Sequence, residues 1–302
     1  MFQGFKCHIT GNHVEPDKCL ACSLKGGLTN GEPCPFTPPI VRGLIESNQP
    51  RNLPGWSVNE LVGCPRKPVL AQKVDFHLEP SKAFWAFRGR LAHSIVELAH
   101  SDDEVVAEVR MYGEIGGEMI TGQPDVVYVN RKLIVDYKTT RQVPQPWKVY
   151  ACTNCGTVIR EGTFSVRKGM SLTCQECQTE YPDPKAILKV TPPRSYSGHV
   201  AQINCYRWLL AKGWPDLPAG VTWPYPNGVE VEAAELLYLD MSEPRRVPIE
   251  LWSLEDTENY ILGRLAAMNT LDADGLPTGA YTEQEDAWQC DYCALQPHCP
   301  QP

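Results

Sequence analysis

Residues 122–139 read GQPDVVYVNRKLIVDYKT, and this stretch decides the fold. Two runs rich in β-branched and aromatic residues, DVVYV and KLIVDYK, flank a turn at 130–131, which predicts an antiparallel hairpin. Asp125 opens the first strand, and Asp136 lies near the end of the second. Because side chains alternate along a strand, Asp136 and Lys138 share a face, and the hairpin brings Asp125 beside them.

The second strand of this hairpin is predicted to be covered on both faces. The three residues before Asp136 are apolar, which is typical of such a strand: Leu133, Ile134 and Val135. Carboxylates placed there need a counter-charge, and a divalent cation supplies one. Lys138 would then orient or activate a water, or neutralise charge on a phosphate. An ion pair on an exposed sheet is the alternative interpretation.

Two helices are predicted upstream of the hairpin. Ser57-Val-Asn-Glu60 has the form of a capping box and opens a helix towards Cys64. GRLAHSIVELAH, residues 89–100, carries an apolar stripe, with His93 on another face. A single helix histidine is more often structural than ligating, so His93 becomes a candidate only together with the carboxylates.

A third helix is predicted over residues 198–212, GHVAQINCYRWLLAK. Gln202 and Tyr206 lie one turn apart on it and share a face, where both offer hydrogen bonds. Without the upstream carboxylates they would read as ordinary polar surface residues. Cys205 on the same helix is predicted to be a buried thiol.

Thirteen cysteines are present, although the N-terminus has no apolar leader and no apolar run approaches the roughly 20 residues of a membrane span. These features predict a cytoplasmic protein without membrane contact, whose cysteines bind metal rather than form disulfides.

The clearest cysteine pattern predicts a zinc ribbon. Two Cys-x2-Cys pairs are separated by 18 residues, and the ligands are Cys152, Cys155, Cys174 and Cys177. The intervening residues 157–173 alternate well enough to predict a short hairpin between the pairs. Pro-rich flanks indicate an inserted module over residues 148–190.

The N-terminal 40 residues are rich in Gly and Pro and lack periodicity, so a metal is the natural means of holding them. We expect zinc there, with His8 and His13 nearby, on Cys7, Cys19, Cys22 and Cys34. A loose tail with unrelated thiols is the alternative.

The last cysteine group, Cys290-x2-Cys293-x5-Cys299, is one ligand short of a tetrahedral site. Cys64 is the unassigned cysteine that can complete it, and His298 can replace one ligand. Four such ligands suit an iron–sulfur cluster or zinc.

Charge does not exclude a nucleic-acid partner. The net charge is −8, but residues 1–224 carry 25 Lys and Arg against 21 Asp and Glu. Residues 225–302 carry 3 against 15, so the acidity belongs to the C-terminal part.

Taken in order, these motifs resemble those of the RecB-type PD-(D/E)XK nucleases. The motifs are His93, Gly-Gln-Pro-Asp125, Asp136-Tyr-Lys138 and Gln202-x3-Tyr206. A Cys-Pro-Arg upstream and a Cys-x2-Cys-x5-Cys at the end are similar to the iron–sulfur members of that branch, which include CRISPR-associated exonucleases and AddB. The resemblance covers about 55–145 and 195–300. The sequence departs from the family in having Asp136 where Glu is usual, and in its two additional cysteine modules.

The resemblance implies an α/β fold with a mixed central sheet flanked by helices. The nuclease core would comprise residues 41–147 and 191–302, with a zinc-binding segment at 1–40 and the ribbon at 148–190. A structural [4Fe–4S] cluster on Cys64, Cys290, Cys293 and Cys299 would tie the two ends of the core together.

The resemblance also implies a Mg²⁺- or Mn²⁺-dependent deoxyribonuclease, an exonuclease in CRISPR spacer acquisition or in recombination and repair. The metal would be held by His93, Asp125, Asp136 and the Tyr137 carbonyl. Lys138 would position the water or stabilise the phosphorane, and Gln202 and Tyr206 would hold Lys138 or the DNA strand.

The expected partners are DNA, single-stranded or with single-stranded ends, and a CRISPR integrase or recombination proteins. Candidate phosphate contacts are Arg66, Lys67, Arg88, Arg90, Arg141, Arg167 and Lys168. Two other classes stay open: a non-catalytic DNA-binding scaffold with a vestigial core, and a redox protein that uses the cluster.

Overall fold

The structure of the chain is a computed structural model. It describes residues 1–29, 32–46, 48, 54–97, 104–140, 143–163, 166–167, 169–193, 195–213, 225–240, 244–278 and 289–300. The described part is a mixed α/β protein with one five-stranded sheet and several smaller sheets. None of its helices is both long enough and apolar enough to cross a membrane.

The helices of the described part are α1 (Pro16–Leu24), α2 (Pro38–Glu46), α3 (Val58–Val62), α4 (Arg66–Lys73), α5 (Pro80–Glu97), α6 (Ser197–Lys212) and α7 (Leu254–Asn269). Short 3₁₀ turns cover Pro184–Ile187 and Gln296–His298.

The strands of the described part are β1 (Phe2–Lys6), β2 (His13–Val14), β3 (Leu28–Thr29), β4 (Glu32–Pro33), β5 (Trp56–Ser57), β6 (Phe76–Leu78), β7 (Val105–Ala107), β8 (Met111–Ile115), β9 (Glu118–Gly122), β10 (Val126–Tyr128), β11 (Leu133–Thr139), β12 (Trp147–Ala151), β13 (Val158–Gly162), β14 (Leu172–Thr173), β15 (Glu180–Tyr181), β16 (Leu188–Thr191), β17 (Ala233–Leu239) and β18 (Pro244–Ile249).

The central sheet has the strand order β18-β17-β11-β10-β7. The predicted hairpin is confirmed, since β10 and β11 are antiparallel, with Val126 opposite Val135. On its other side β11 pairs in parallel with β17 along its whole length, from Leu133 opposite Ala233 to Thr139 opposite Leu239. The sheet is therefore mixed, and β11 lies at its centre.

Helices cover both faces of this sheet. Ile134 of β11 and Val127 of β10 pack against α6 in the main core, together with Ile203. Helix α5 also packs on β11, and its Gly89 faces the Thr139 hydroxyl. Thr139 points to the opposite face from Ile134 because side chains alternate along β11. The predicted helix at 198–212 is confirmed as α6, whereas α5 begins earlier than predicted, at Pro80.

A smaller sheet, β5-β9-β8, covers α6 from the other side. Gly122 at the end of β9 has no room for a side chain. A Cβ there would lie 2.8 Å from Leu209 Cδ1 and 2.9 Å from Tyr206 Cδ1. The glycine thus permits the close approach that seats the Tyr206 ring under the central sheet.

The N-terminal segment has its own small core. Strand β1 lies between β2 and β6, and Phe5, Phe36, Val41 and Leu44 pack beneath it. Helix α2 joins this unit to α5, where Gly43 lies against the Phe87 ring.

The hairpin predicted between the two Cys-x2-Cys pairs is wrong. Instead, β12 pairs with β13 and β14 pairs with β15, so each pair of cysteines lies in the turn of its own hairpin. Cys152 donates its amide to the Thr157 carbonyl, and Cys174 donates to Thr179 in the same manner. These two hydrogen bonds close each turn within a few residues. An alternating sequence pattern does not reveal turns of this kind.

Candidate functional site

Two buried carboxylates lie opposite each other at the end of the central hairpin. Continuing the β10–β11 register by one residue places Asp125 opposite Asp136, and their exposed fractions are 2% and 1%. The Tyr137 amide donates to Asp125 Oδ2 at 2.5 Å. This bond fixes the Asp125 carboxylate across the hairpin.

Lys138 shares the face of Asp136. Its Nζ lies 2.6 Å from Asp136 Oδ2 and donates to Gln202 Oε1 at 2.7 Å. The Lys138 side chain is 16% exposed, so solvent or a ligand can reach the ammonium group while both acidic side chains stay buried.

Gln202 on α6 accepts a hydrogen bond from Lys138, and two further hydrogen bonds fix the orientation of the Gln202 amide. Its Nε2 donates to Asn59 Oδ1 and to Tyr206 Oη, both at 2.8 Å. Since both amide hydrogens have acceptors, the carbonyl oxygen is the atom that faces Lys138. Gln202 and Tyr206, which the sequence placed on one helix face, are therefore in direct contact.

Asn59 was not among the predicted site residues. It lies in α3, whose predicted capping box is confirmed: the Ser57 amide donates to Glu60 Oε2 at 2.8 Å, and the Glu60 amide donates to Ser57 Oγ at 3.3 Å. The box sets where α3 begins and thereby where Asn59 meets Gln202. No local pattern marks Asn59, because its partner lies 143 residues away.

The Tyr206 hydroxyl remains protonated. Burial raises its pKa well above the usual value, and the charge of Asp136 raises it further. A neutral phenol at this point accepts from Gln202 without adding negative charge beside the carboxylates.

His199, also absent from the predicted set, lies one turn before Gln202. Its Nδ1 is 3.0 Å from Tyr238 Oη. Burial, and then the nearby charge of Lys138, lowers the pKa of His199 to about 3. This imidazole is therefore neutral at physiological pH.

The Gly-Gln-Pro-Asp segment is held by Gln123. Its Nε2 donates to the Glu108 carbonyl at 2.9 Å and to Glu108 Oε2 at 2.8 Å, while Arg110 donates to its Oε1. The Glu108 amide in turn donates to the Asp125 carbonyl at 2.9 Å. These bonds anchor the backbone that presents Asp125.

The two remaining predicted metal ligands are placed only through their backbones. His93 lies in α5, one turn after Gly89, and its side chain is outside the described part of the structure. Tyr137 lies in β11 between Asp136 and Lys138.

Arg66 is not a phosphate contact. It is 2% exposed and donates to the Pro277 carbonyl at 2.7 Å and to Asp272 at 3.2 Å. A buried guanidinium with these partners is structural. Lys67 and Arg167 are exposed, and Arg88 and Arg90 are half-buried, whereas Arg141 and Lys168 lie outside the described residues.

The ribbon cysteines form a compact group. Their Sγ atoms all lie within 4.8 Å of one another, with 3.4 Å between Cys152 and Cys177 and 3.5 Å between Cys155 and Cys174. A tetrahedral zinc with bonds of about 2.3 Å separates its sulfurs by roughly 3.8 Å. Hydrogen bonds with Thr179 lower the pKa of Cys177 to about 5, which favours the thiolate. This four-cysteine site can hold a metal.

Cys64 lies just before α4, and Cys293 and Cys299 pack against the cluster formed by Leu70 of α4 with Leu276 and Leu295. Burial raises the pKa of Cys290, and the charges of Cys64, Cys293 and Cys299 raise it further. Arg66 ties the start of α4 to the 272–277 segment, and Arg264 of α7 binds the Leu61 and Gly63 carbonyls just before Cys64. The N-terminal cysteines line one cavity.

No protein-family model matches the sequence, and no curated protein does. Among solved structures the chain is similar to the crystal structure of SSO0001, with 17% sequence identity and a TM-score of 0.47. The match covers 86% of this chain and 94% of that one.

Proposed function

We propose that the protein is a metal-dependent deoxyribonuclease with a PD-(D/E)XK core that hydrolyses phosphodiester bonds. The observation that supports it best is the network of Asp125, Asp136, Lys138 and Gln202: two opposed buried carboxylates with an ammonium group held beside them. The order of these residues along the chain is the one that resembles RecB-type nucleases.

The residues present fit a hard divalent cation. Like charges directly opposite each other on a sheet are destabilising, and Asp125 and Asp136 are opposed and buried. Carboxylate oxygens are the ligands that Mg²⁺ and Mn²⁺ prefer. In this proposal Asp125, Asp136, the Tyr137 carbonyl and His93 hold the ion. When bound, it would make an attacking water more acidic and offset charge on the scissile phosphate.

Each remaining residue then has a role that follows from its contacts. Lys138 Nζ, only partly exposed, donates to the attacking water or to a phosphate oxygen as negative charge grows there. Gln202 Oε1 orients this ammonium, and Asn59 and Tyr206 orient Gln202.

The proposed substrate is DNA that is single-stranded or has single-stranded ends, and the proposed reaction is exonucleolytic. The pathway would be CRISPR spacer acquisition or recombination and repair, with an integrase or recombination proteins as partners. Cys64 and the C-terminal cysteines would hold a structural [4Fe–4S] cluster, and the ribbon would hold zinc.

The test is a cleavage assay on anaerobically purified protein. Single- and double-stranded DNA, labelled separately at each end, is incubated with Mg²⁺, with Mn²⁺ or with EDTA. We expect divalent-dependent cleavage that Asp136→Asn abolishes and that Lys138→Met slows about a hundredfold or more. The matched control is Lys132→Met, because Lys132 lies on the same hairpin but pairs with Glu230 and Glu232 at the exposed end.

Full cleavage by Asp136→Asn would refute the proposed site. DNA binding without any cleavage by folded, metal-loaded wild type would instead support the scaffold alternative.

A further inference from the structure

The four N-terminal cysteines come from separate elements of the N-terminal segment and lie around one cavity. Cys7 follows β1, Cys19 and Cys22 lie one turn apart on α1, and Cys34 follows β4. All four line one cavity of about 340 Å³. Apolar residues that also line it include Phe5, Val14, Phe36, Val41 and Leu44.

This cavity is larger than a single ion needs. It is partly open to solvent, and its volume of about 340 Å³ has room for a group larger than one ion.

The spacing of the sulfurs leads to the same conclusion. Within the described residues, the ribbon is the only group in which three or more metal-ligating side chains come within 4.8 Å of one another. No three N-terminal thiols therefore reach the separation of roughly 3.8 Å that tetrahedral zinc requires. In a [4Fe–4S] cluster each of the four thiolates binds a different iron atom, so the thiolates lie farther apart than on a single zinc ion.

We propose that Cys7, Cys19, Cys22 and Cys34 hold an iron–sulfur cluster instead of the zinc ion expected from the sequence. The apolar side chains around the cavity would shield such a cluster from solvent. The cluster would join β1, α1 and the segment after β4, and through α2 it would hold this unit on α5. The proposal does not depend on the nuclease assignment.

Metal analysis of anaerobically purified full-length protein tests this. In Cys19→Ser/Cys34→Ser we expect iron and acid-labile sulfide to fall together by at least about a third, while zinc is unchanged. The matched control, Cys155→Ser/Cys177→Ser, should lose zinc and keep its iron. Loss of zinc from the N-terminal variant, or no change in its iron, would overturn the proposal.

A second measurement needs no variant and covers the case in which the N-terminal variant does not fold. Anomalous diffraction from wild-type crystals is recorded at energies just above the iron edge and just above the zinc edge. An anomalous peak among Cys7, Cys19, Cys22 and Cys34 in the data recorded just above the iron edge supports the cluster. A peak only above the zinc edge, or no peak at either energy, refutes it. Neither readout involves DNA cleavage, so failure here is distinct from failure of the proposed function.

Discussion

At the scale of single residues, Gln202 controls where the Lys138 ammonium points. Gln202→Leu removes the acceptor of Lys138 and the donor to Asn59 and Tyr206. We expect cleavage to slow ten- to a hundredfold, and the free energy of unfolding to fall by about 1–3 kcal/mol because buried polar groups lose their partners.

The matched control for this variant is Asn204→Leu. Asn204 is a buried amide on the same helix, bonded to Val200 and Trp252 away from the carboxylates. Asn204→Leu should lower the free energy of unfolding, measured by urea titration, by an amount comparable to that of Gln202→Leu. Its cleavage rate per folded molecule should equal that of the wild type. Equal rates for the two variants would remove Gln202 from the site.

His199 makes stability depend on pH. Its folded pKa of about 3 lies below the roughly 6.5 of an unfolded histidine. Between these values the unfolded chain binds more protons, so the free energy of unfolding falls as the pH drops below about 6.5. The slope due to this residue approaches 1.4 kcal/mol per pH unit, as an order of magnitude.

His199→Gln keeps a polar partner for Tyr238 without a titrating group. Urea titrations from pH 7 to 4.5 should therefore give a flatter dependence for this variant than for wild type. Parallel curves would show that the pKa of His199 is the same in the folded and the unfolded chain.

At the scale of elements, the capping box of α3 links helix stability to the site. Ser57→Ala and Ser253→Ala each remove the side-chain cap of a helix, α3 and α7 respectively. Each should lower the free energy of unfolding by about 1 kcal/mol. Only Ser57→Ala should also slow cleavage, because α3 carries Asn59. If both variants cleave alike, α3 does not position the site.

Local sequence predicts those elements whose interactions act between residues close together in the chain. The β10–β11 hairpin and α6 followed from alternation, a turn and helical spacing, all of which act over a few residues. The ribbon hairpins could not be predicted in this way, because hydrogen bonds of Cys152 and Cys174 form turns at positions where the alternation pattern indicated none. The sequence did not single out Asn59, because its role depends on a contact between two helices that lie far apart in the sequence.

At the scale of the whole molecule, the ribbon leaves and rejoins the core at adjacent points. Strands β12 and β16 are antiparallel neighbours, with Tyr150 opposite Leu188. Replacing residues 152–186 by an Asn-Gly turn would join them directly. Shortening the connection between β11 and β17 changes its closure entropy by only about 0.4 kcal/mol.

We therefore expect the shortened protein to fold, to lose its zinc and to keep its iron and its cleavage. Thermal unfolding, metal analysis and the cleavage assay would check this, with Cys155→Ser/Cys177→Ser as the zinc-free control of full length. A shortened chain that yields no folded protein would show that the ribbon is required by the core.

Cysteine spacing singled out the four residues of the ribbon site, whose sulfurs the structure brings within 4.8 Å of one another. Cys7, Cys19, Cys22 and Cys34 have a sequence spacing compatible with zinc, whereas the cavity that they line appears only in the folded structure. The parallel pairing of β1 with β6 likewise joins segments about seventy residues apart that no local pattern connects.

The position of β11 between β10 and β17 has a consequence for the chain as it leaves the ribosome. One edge of β11 is paired almost at once by β10, but its other partner begins only at Ala233. At translation rates of about 5–20 residues per second, that edge waits roughly 5–20 s. Throughout this interval Leu133, Ile134 and Val135 present an open apolar strand, a template for wrong pairing. The ribbon emerges within the same interval, and its two hairpins, β12–β13 and β14–β15, pair over a few residues without waiting for the rest of the chain.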